Sequence, residues 1–213
     1  AAIPVGLAYS VIAARWLGPS DFGILVAIGA AVGTATQIGI FGLPTAVLKT
    51  AAARPGLTPV LLANARIVGA AGGALTLAGL VLFARLLPET LGAVPQHLLL
   101  VAGLTLPLNF ACAQFQGIAL GLQHVRHYNY VETTNRVLLL LSAVVVLIVF
   151  DFGIAGMVGA SVALAAIQWL QWHALFGDKA LRLAPDFGIL RGMLGVSLRA
   201  HVTILLTFLV LRS

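Results

Sequence analysis

Charged side chains are absent from long stretches of this chain. Asp, Glu, Lys and Arg are missing from 22–48, 67–84, 98–123 and 152–173, and a shorter uncharged run covers 137–150. A helix crosses the hydrocarbon core of a bilayer with about 20 predominantly apolar residues. Strands of a lipid-facing barrel would alternate polar and apolar residues, whereas these stretches are apolar all round. The pattern therefore predicts an all-α polytopic membrane protein with six to seven transmembrane helices.

The interruptions between the apolar stretches place the helix ends. Gly18-Pro19 breaks one helix and Ser20 or Asp21 can cap the next, so we expect a short hairpin at the membrane surface. The tetrapeptide Asp-Phe-Gly-Ile recurs where later apolar segments begin, at Asp151 and Asp186. The predicted helices are 1–16, 21–48, 58–86, 95–122, 128–150, 153–175 and 187–213. Because the first and last of these stop inside apolar runs, we expect the sequence to be a fragment.

Composition agrees with a chain that resides in lipid. Only 8% of the 213 residues are charged and 61% are hydrophobic, whereas soluble proteins have about a quarter of their residues charged. So little charge cannot cover the surface of a soluble globule of this size. The single Cys112 lies within a predicted span, which excludes an internal disulfide framework and disfavours a cysteine-based metal site.

The few basic residues are distributed unevenly between the two ends of the helices. Lys and Arg favour the cytoplasmic connections of membrane proteins. If the first helix runs outward, the outer side carries only Arg15 and Arg85. The inner side then carries Lys49, Arg54, Arg66, Arg126, Arg136, Lys179, Arg182 and Arg191. We therefore expect connections 49–66, 123–136 and 176–191 to be cytoplasmic.

Polar side chains mark one face on each of the fourth and fifth predicted helices. Asn109, Gln116 and Gln123 repeat every seven residues, which puts three amides on one face beyond a kink expected at Pro107. Because amides facing lipid are costly, these three either bond neighbouring helices or line water.

The fifth predicted helix carries Glu132, Asn135 and Ser142 on one face, with Arg136 four residues after Glu132. That spacing suits an ion pair. The pair is either a solvated contact near the inner surface or part of a functional cavity.

Two arginines lie deep in the last predicted helix. Arg191 can snorkel to the interface, whereas Arg199 lies about two to three turns into the helix and Arg212 lies deeper still. Charges at such depth face a bundle interior or a watery cavity. Arg199 and Arg212 point about 140° apart at a rotation of about 100° per residue. Both can face one cavity only if the helix bends or the cavity is wide.

The remaining patterns favour packing over chemistry. Two faces of small residues predict close helix packing: Gly29/Gly33 in the second helix and Gly69/Gly72/Thr76/Gly79 in the third. His124 and His127 supply two metal ligands at best, so we expect no metal and no cofactor. The sequence contains no spaced carboxylate pair, Gly-x-Ser-x-Gly or phosphate loop, and we expect no catalytic residues and no enzyme activity.

Four segments resemble a known family. They are AARWLGPSDFGIL from Ala13, FGLPTAVLKTAA from Phe41, QGIALGLQHVRHYNYVETTNRVLLLL from Gln116 and GVSLRAHVTILLTFLVLRS from Gly195. The most specific piece is Ala-Arg-x-Leu-Gly-Pro-x-x-Phe-Gly, which begins at Ala14. The chain resembles the polysaccharide-transport (Wzx-like) branch of the multidrug/oligosaccharidyl-lipid/polysaccharide exporter superfamily.

The resemblance implies an architecture and a function. Members form a V of two six-helix lobes, so 1–175 would be the N-terminal lobe, 176–186 a cytoplasmic linker and 187–213 the start of the second lobe. Members are flippases of the bacterial inner membrane that move polyprenyl-diphosphate-linked oligosaccharides, the repeat units of O-antigen, capsule or exopolysaccharide, by alternating access. The implied partners are that lipid-linked oligosaccharide, membrane lipids, a polysaccharide polymerase and glycosyltransferases, with no nucleic acid.

The resemblance also implies site residues. Basic residues of the central cavity meet the diphosphate in relatives, and by position this role falls on Arg199 and Arg212, with Arg15, Lys49 and Arg136 as further candidates. Candidate polar residues of the cavity lining are Asn109, Gln116, Gln123, Glu132 and Asn135.

Three other functions are weighed against the flippase. A drug or metabolite exporter of the same superfamily would need buried carboxylates for cationic drugs, and the sequence has few. A membrane-embedded glycosyl- or acyltransferase would need His and acidic residues clustered at one membrane face. A non-transporting scaffold is expected if the polar faces are packed shut.

Overall fold

Helical backbone dominates the chain. The computed structural model describes residues 2–86, 94–177, 185–195 and 197, and among these residues there is no β-strand. The helices are α1 (Ala2–Ile40), α2 (Leu43–Ala53), α3 (Thr58–Leu86), α4 (Gln96–Gly103), α5 (Thr105–Gly121), α6 (Val125–Ala143) and α7 (Gly153–Phe176). A 3₁₀ turn precedes α3, a π-helical turn extends α6, and a further helical segment follows α7: Pro55–Leu57, Val144–Val149 and 187–195.

Five helical stretches within the described ranges are long and apolar enough to cross a membrane. They are Pro4–Ile40, Pro55–Leu86, Gln96–Gly121, Val125–Val149 and Gly153–Phe176. The architecture is therefore that of an all-α, multi-span membrane protein. The predicted helices 58–86 and 153–175 agree closely with α3 and α7. Of the predicted helix 187–213, only 187–195 and residue 197 lie within the described residues.

The chain reverses direction within α1. Gly18 has φ 74° and ψ 172°, which only glycine adopts readily, so the predicted break at Gly18-Pro19 is present. Tyr9 and Gln37 line the same cavity as 132–142 of α6. If α1 were straight, Tyr9 and Gln37 would be about 42 Å apart along its axis. The part of α6 that lines the same cavity, residues 132–142, is only about 15 Å long, so a straight α1 could not bring both residues to it. The two halves of α1 therefore form a hairpin.

The predicted cap residues of this hairpin are not where the second half begins. Because helical backbone resumes at Pro19, Ser20 and Asp21 lie within its first turn rather than in front of it. Pro is favoured at that first helical position, where its missing N–H costs nothing.

The predicted continuous helix 21–48 is wrong. Phe41 and Gly42 both have left-handed backbone, with φ 48° and 68°, and Pro44 follows near the start of α2. Proline lacks the N–H that would continue the preceding helix. The separate helix α2 then lies closely on α5, since a Cβ on Gly117 would stand 2.6 Å from the Pro44 carbonyl oxygen.

Close packing of α3 on α5 forms the centre of the bundle. A Cβ on Gly69 would stand 2.7 Å from that of Ala111, and a Cβ on Gly73 would overlap Pro107. Phe110 is almost fully buried, and its ring lies against Gly72. The predicted small-residue face of α3 is thus present at Gly69 and Gly72. Gly79 does not belong to it, because a Cβ there would meet nothing within 4 Å.

The kink expected at Pro107 takes the form of an interruption between α4 and α5. Leu104 separates the two helices, and its N–H bonds the Val101 carbonyl at 3.1 Å in a tighter turn. Proline at position 107 cannot donate to the carbonyl of Gly103, so the regular hydrogen-bond ladder fails one turn before it.

The segment that follows α7 is tied to α3 near the end where α3 begins. Asn64, buried on α3, donates from Nδ2 to the Asp186 carbonyl and accepts from the Asp186 N–H, both at 3.1 Å. Asp186 Oδ1 accepts from the N–H groups of Gly188 and Ile189 at 2.8 and 3.1 Å, which confirms the predicted helix cap at this Asp-Phe-Gly-Ile.

The helix start predicted at Asp151, unlike the one at Asp186, has no side-chain cap. Asp151 has left-handed backbone, with φ 51°, and α7 begins at Gly153 without a side-chain cap. Left-handed residues of this kind are common where a helix ends. Asp151 therefore lies in the turn that follows the π-helical segment, and it does not cap α7.

Candidate functional site

A cavity of about 800 Å³ lies among α1, α5, α6 and α7. Its apolar lining includes Phe22, Ile28 and Val32 of α1 and Met157 of α7. Its polar lining is drawn from every one of these helices: Tyr9, Ser10, Thr36, Gln37, Thr105, Asn109, Glu132, Asn135, Arg136, Ser142, Ser161 and Gln168. Four helices thus border an open cavity whose surface is mostly apolar but carries polar side chains from each of them.

The three amides predicted to share one face do not share one environment. Asn109 lines the cavity. Gln116 instead donates from Nε2 to Glu132 Oε1 at 3.1 Å, so it joins α5 to α6. Gln123 is exposed in the turn after α5, with φ 60°. The seven-residue repeat fails there because the helix ends at Gly121.

The predicted ion pair of α6 is present and faces the cavity. Arg136 Nη2 lies 3.5 Å from Glu132 Oε2, with the side chains 47% and 27% exposed. Glu132 thereby binds Gln116 through one carboxylate oxygen and Arg136 through the other. Asn135 also lines the cavity, and its Oδ1 is buried without a hydrogen-bond partner. The pair is a part of the cavity lining rather than a solvated contact away from it.

The other predicted cations are not brought together. Arg15 is exposed beside the Gly18 turn, with its guanidinium carbon 5.8 Å from the Trp16 ring centre. Lys49 is exposed on α2. Neither Arg15 nor Lys49 is among the residues that line the cavity. Arg199 and Arg212 lie outside the described residues.

Several lining residues were missed by the sequence reasoning. Gly29 and Gly33, predicted to pack against a neighbour, border open space, since a Cβ on either would meet nothing within 4 Å. With Gln37 they form a stripe at a spacing of four residues, a helical period that carries one face toward the cavity. Ser161 and Gln168 of α7 are seven residues apart, the same spacing as Asn109 and Gln116 of α5.

A second polar group joins α3 to α7 outside the cavity. Arg66 Nε donates to His173 Nε2 at 3.0 Å, and His173 Nδ1 lies 2.9 Å from the Trp169 carbonyl oxygen. A neutral imidazole satisfies both contacts, with Nδ1 donating and Nε2 accepting. The rings of Trp169 and Phe115 enclose it, with centres 3.9 and 5.2 Å away. This arrangement holds the two helices together.

The histidine pair of the basic turn lies beside no third candidate metal ligand in the part of the chain that the structure describes. The rings of His124 and His127 meet edge to face at 5.2 Å. Among the described residues, no group of three or more His, Cys, Asp or Glu side chains could hold a metal ion.

The fold and the cavity together define a class of protein: an α-helical membrane protein with an open cavity among its spanning helices, lined in part by polar side chains. Comparison with known proteins finds no matching family model, no matching curated protein and no matching solved structure. A more specific function therefore rests on the residues of this chain.

Proposed function

We propose that this chain is part of a flippase that carries polyprenyl-diphosphate-linked oligosaccharides across the bacterial inner membrane by alternating access. In this proposal 1–175 form the N-terminal lobe, 176–186 the linker and 187–213 the start of a second lobe. Connections 49–66 and 123–136 face the cytoplasm, as does the linker. The resemblance of the segment from Ala14 to Gly23 to the polysaccharide-transport family motivates the choice of substrate.

The observation that carries the proposal is the set of polar side chains that line the cavity. A transporter must offer its cargo polar groups to replace water, and spanning helices place such groups only where they line an internal space. At about 800 Å³, the cavity lies within the usual range for spaces that enclose a small ligand, about 300 to 1,000 Å³. Sugars could occupy such a space while a polyprenyl tail stays in the lipid.

One observation favours a second candidate, an exporter of cationic drugs or metabolites. Glu132 presents a carboxylate to the cavity, and a buried carboxylate is what a cationic drug requires. Its charge is already matched by Arg136 at 3.5 Å, so the flippase remains the first proposal. A drug-sensitivity screen of cells lacking the gene separates the two candidates.

The test is to fill the cavity without disturbing the helices. Gly33→Leu would place a side chain in the open space of the cavity. Gly79→Leu is the matched control, because Gly79 also lies within a spanning helix and borders open space, but it does not line the cavity. The complete protein, reconstituted in vesicles, would be assayed for movement of a fluorescent undecaprenyl-diphosphate oligosaccharide between leaflets.

We expect Gly33→Leu to stop this movement while Gly79→Leu retains it, with both variants present in the membrane at wild-type levels. Normal movement with Gly33→Leu would show that cargo does not pass through this cavity. Absence of movement with the wild-type protein would reject the flippase.

A further inference from the structure

The lining of the cavity changes in character along the helices that border it. On α7 the lining residues follow one another in the order Met157, Val158, Ser161, Leu164, Ala165 and Gln168. On the second half of α1 the order includes Phe22, Leu25, Ile28, Val32, Thr36 and Gln37. Both helices therefore begin with apolar lining and reach amide side chains about 16 to 22 Å further along.

The polar lining of α6 and α7 lies at one end of the bundle. Gln116, near the end of α5, bonds Glu132, near the start of α6, at 3.1 Å. His173, near the end of α7, meets the Phe115 ring of α5 with ring centres 5.2 Å apart. The ends of α5 and α7 and the start of α6 are therefore neighbours. The charged lining of α6 is at this end, whereas Ser142 lies about 15 Å away from it along the helix.

The second half of α1 runs in the same direction as α4 and α5. Ile28 shares a buried cluster with Leu98 of α4, and a Cβ on Gly39 would overlap the ring of Phe110 on α5. Earlier residues of α1 thus meet α4, and later residues meet α5. The polar lining of α1 therefore lies nearer than its apolar lining to the end at which α5 and α7 stop.

The cavity is consequently amphipathic along its length. Its polar end is the part lined by Glu132, Asn135, Arg136 and Gln168. Its apolar end is the part lined by Phe22, Leu25, Val26, Ile28, Met157 and Val158. Hydroxyl groups, such as those of Thr36, Ser142 and Ser161, lie between the two ends.

The two ends suit different chemistry. At the polar end the Arg136 guanidinium donates hydrogen bonds, the Glu132 carboxylate accepts them and the Gln168 amide does both. Asn135 Oδ1 is a buried acceptor that has no hydrogen-bond partner among the described residues. A polar head group can replace its water there. The apolar end supplies no such bonds, so a polar group would lose free energy on entering it and a hydrocarbon chain would gain free energy.

From this arrangement we infer that the cavity binds an amphiphilic molecule lengthwise, with its head group at the polar end and the start of its hydrocarbon chain at the apolar end. The inference rests on the proposed function and deepens it. The part of the polyprenyl chain next to the head group then lies against Phe22, Leu25 and Met157, and only the remainder extends into lipid. The polar end is on the side of connection 123–136, which the proposal places in the cytoplasm. The bound molecule thus has the orientation of a lipid of the inner leaflet.

Photolabelling from the two ends of one amphiphile tests the orientation. Farnesyl maltoside would carry a diazirine either at the far end of its chain or on its sugar. Each probe would be photolysed with the complete protein in vesicles, at a concentration too low to dissolve them, and the labelled residues would be identified by mass spectrometry. Excess unlabelled farnesyl maltoside separates the two sources of labelling, because only labelling at a site that saturates is displaced.

We expect the chain diazirine to give displaceable labelling at 22–32 of α1 and 157–158 of α7. The sugar diazirine should give it at 132–136 of α6 and at Gln168. The reverse pattern overturns the inference. Displaceable labelling spread equally over both ends by each probe also overturns it, and so does its absence from the cavity with both probes.

A matched pair of valines tests the contact with the chain. Val26 lines the apolar end and is 53% exposed, whereas Val137 of α6 is 47% exposed and is not among the lining residues. Val26→Ala should raise the concentration of unlabelled farnesyl maltoside needed for displacement by about 4-fold, the value of one buried CH₂ group. Val137→Ala should leave it unchanged, with both variants at wild-type levels in the membrane. Equal effects of the two substitutions would contradict a chain at the apolar end.

Failure here is distinguishable from failure of the flippase proposal. Movement of the lipid-linked oligosaccharide by wild-type protein, together with reversed or absent labelling of the cavity, keeps the flippase and rejects lengthwise binding. The expected labelling without movement of the lipid-linked oligosaccharide keeps the site for an amphiphile and rejects the flippase.

Discussion

The contact between α3 and α5 leads to a prediction about stability that two glycines of one helix can test. Gly73 lies where α3 meets α5, and a Cβ there would overlap the Cα of Pro107 and stand 2.5 Å from its backbone nitrogen. Gly79 lies six residues further along α3 and borders open space. Replacing each by alanine adds the same methyl group to the same helix in two environments.

The expected magnitudes follow from two opposing effects. Alanine is favoured over glycine within a helix by about 1 kcal/mol, and this gain applies at both positions. At Gly73 the added methyl meets backbone atoms that cannot rotate away, and overpacking of this kind costs about 1 to 3 kcal/mol. Gly79→Ala should therefore be neutral or stabilising, and Gly73→Ala should be less stable than Gly79→Ala by about 1 to 3 kcal/mol.

Thermal unfolding of the purified variants in one detergent measures the difference. For a chain of this size, 1 kcal/mol corresponds to a shift in Tm of about 2 to 4 °C, so the two variants should differ by roughly 2 to 12 °C. Equal melting temperatures would refute the reasoning, because they would mean that α3 and α5 can separate at Pro107 without cost.

Two further predictions concern single side chains. Asn64→Leu removes both hydrogen bonds to the Asp186 backbone, and we expect the free energy of unfolding in detergent to fall by about 1 to 3 kcal/mol; an unchanged value would mean that these bonds contribute nothing. Glu132→Gln removes the charge that faces Arg136. Because the Arg136 side chain is 47% exposed, we expect the free energy of unfolding in detergent to fall by no more than about 1 kcal/mol; a much larger loss would mean that the pair is a structural contact of the bundle.

The spans were predictable from sequence because lipid requires long uncharged helices. The absence of charge from 152–173 was enough to place α7 almost to its ends, and the absence of charge from 67–84 marked the last two thirds of α3, whose first part carries Arg66. The division of 21–48 was missed, although Pro44 supplied a signal for a helix start. Two successive left-handed residues, Phe41 and Gly42, have no comparable signature, since phenylalanine rarely adopts that conformation.

The candidate site could be predicted only in part. The spacing of Glu132 and Arg136 identified their contact, because residues four apart meet on any helix. Whether a polar side chain meets a neighbouring helix or an open space depends on how the helices pack against one another. The spacing of residues within one helix does not determine that packing. Gln116 and Asn109 illustrate this: one bonds Glu132, and the other lines the cavity.

Asp186 gives the segment that follows α7 a fixed point. Its backbone is held by Asn64 of α3, while its carboxylate holds the first turn of the helical segment 187–195. The segment is held again further on, where Met193 is buried in the core and the Ser197 hydroxyl donates to the Phe41 carbonyl. Fastened at both places, it cannot swing about Asp186 alone, and any displacement must either break one of these contacts or carry α3 and the turn before α2 with it.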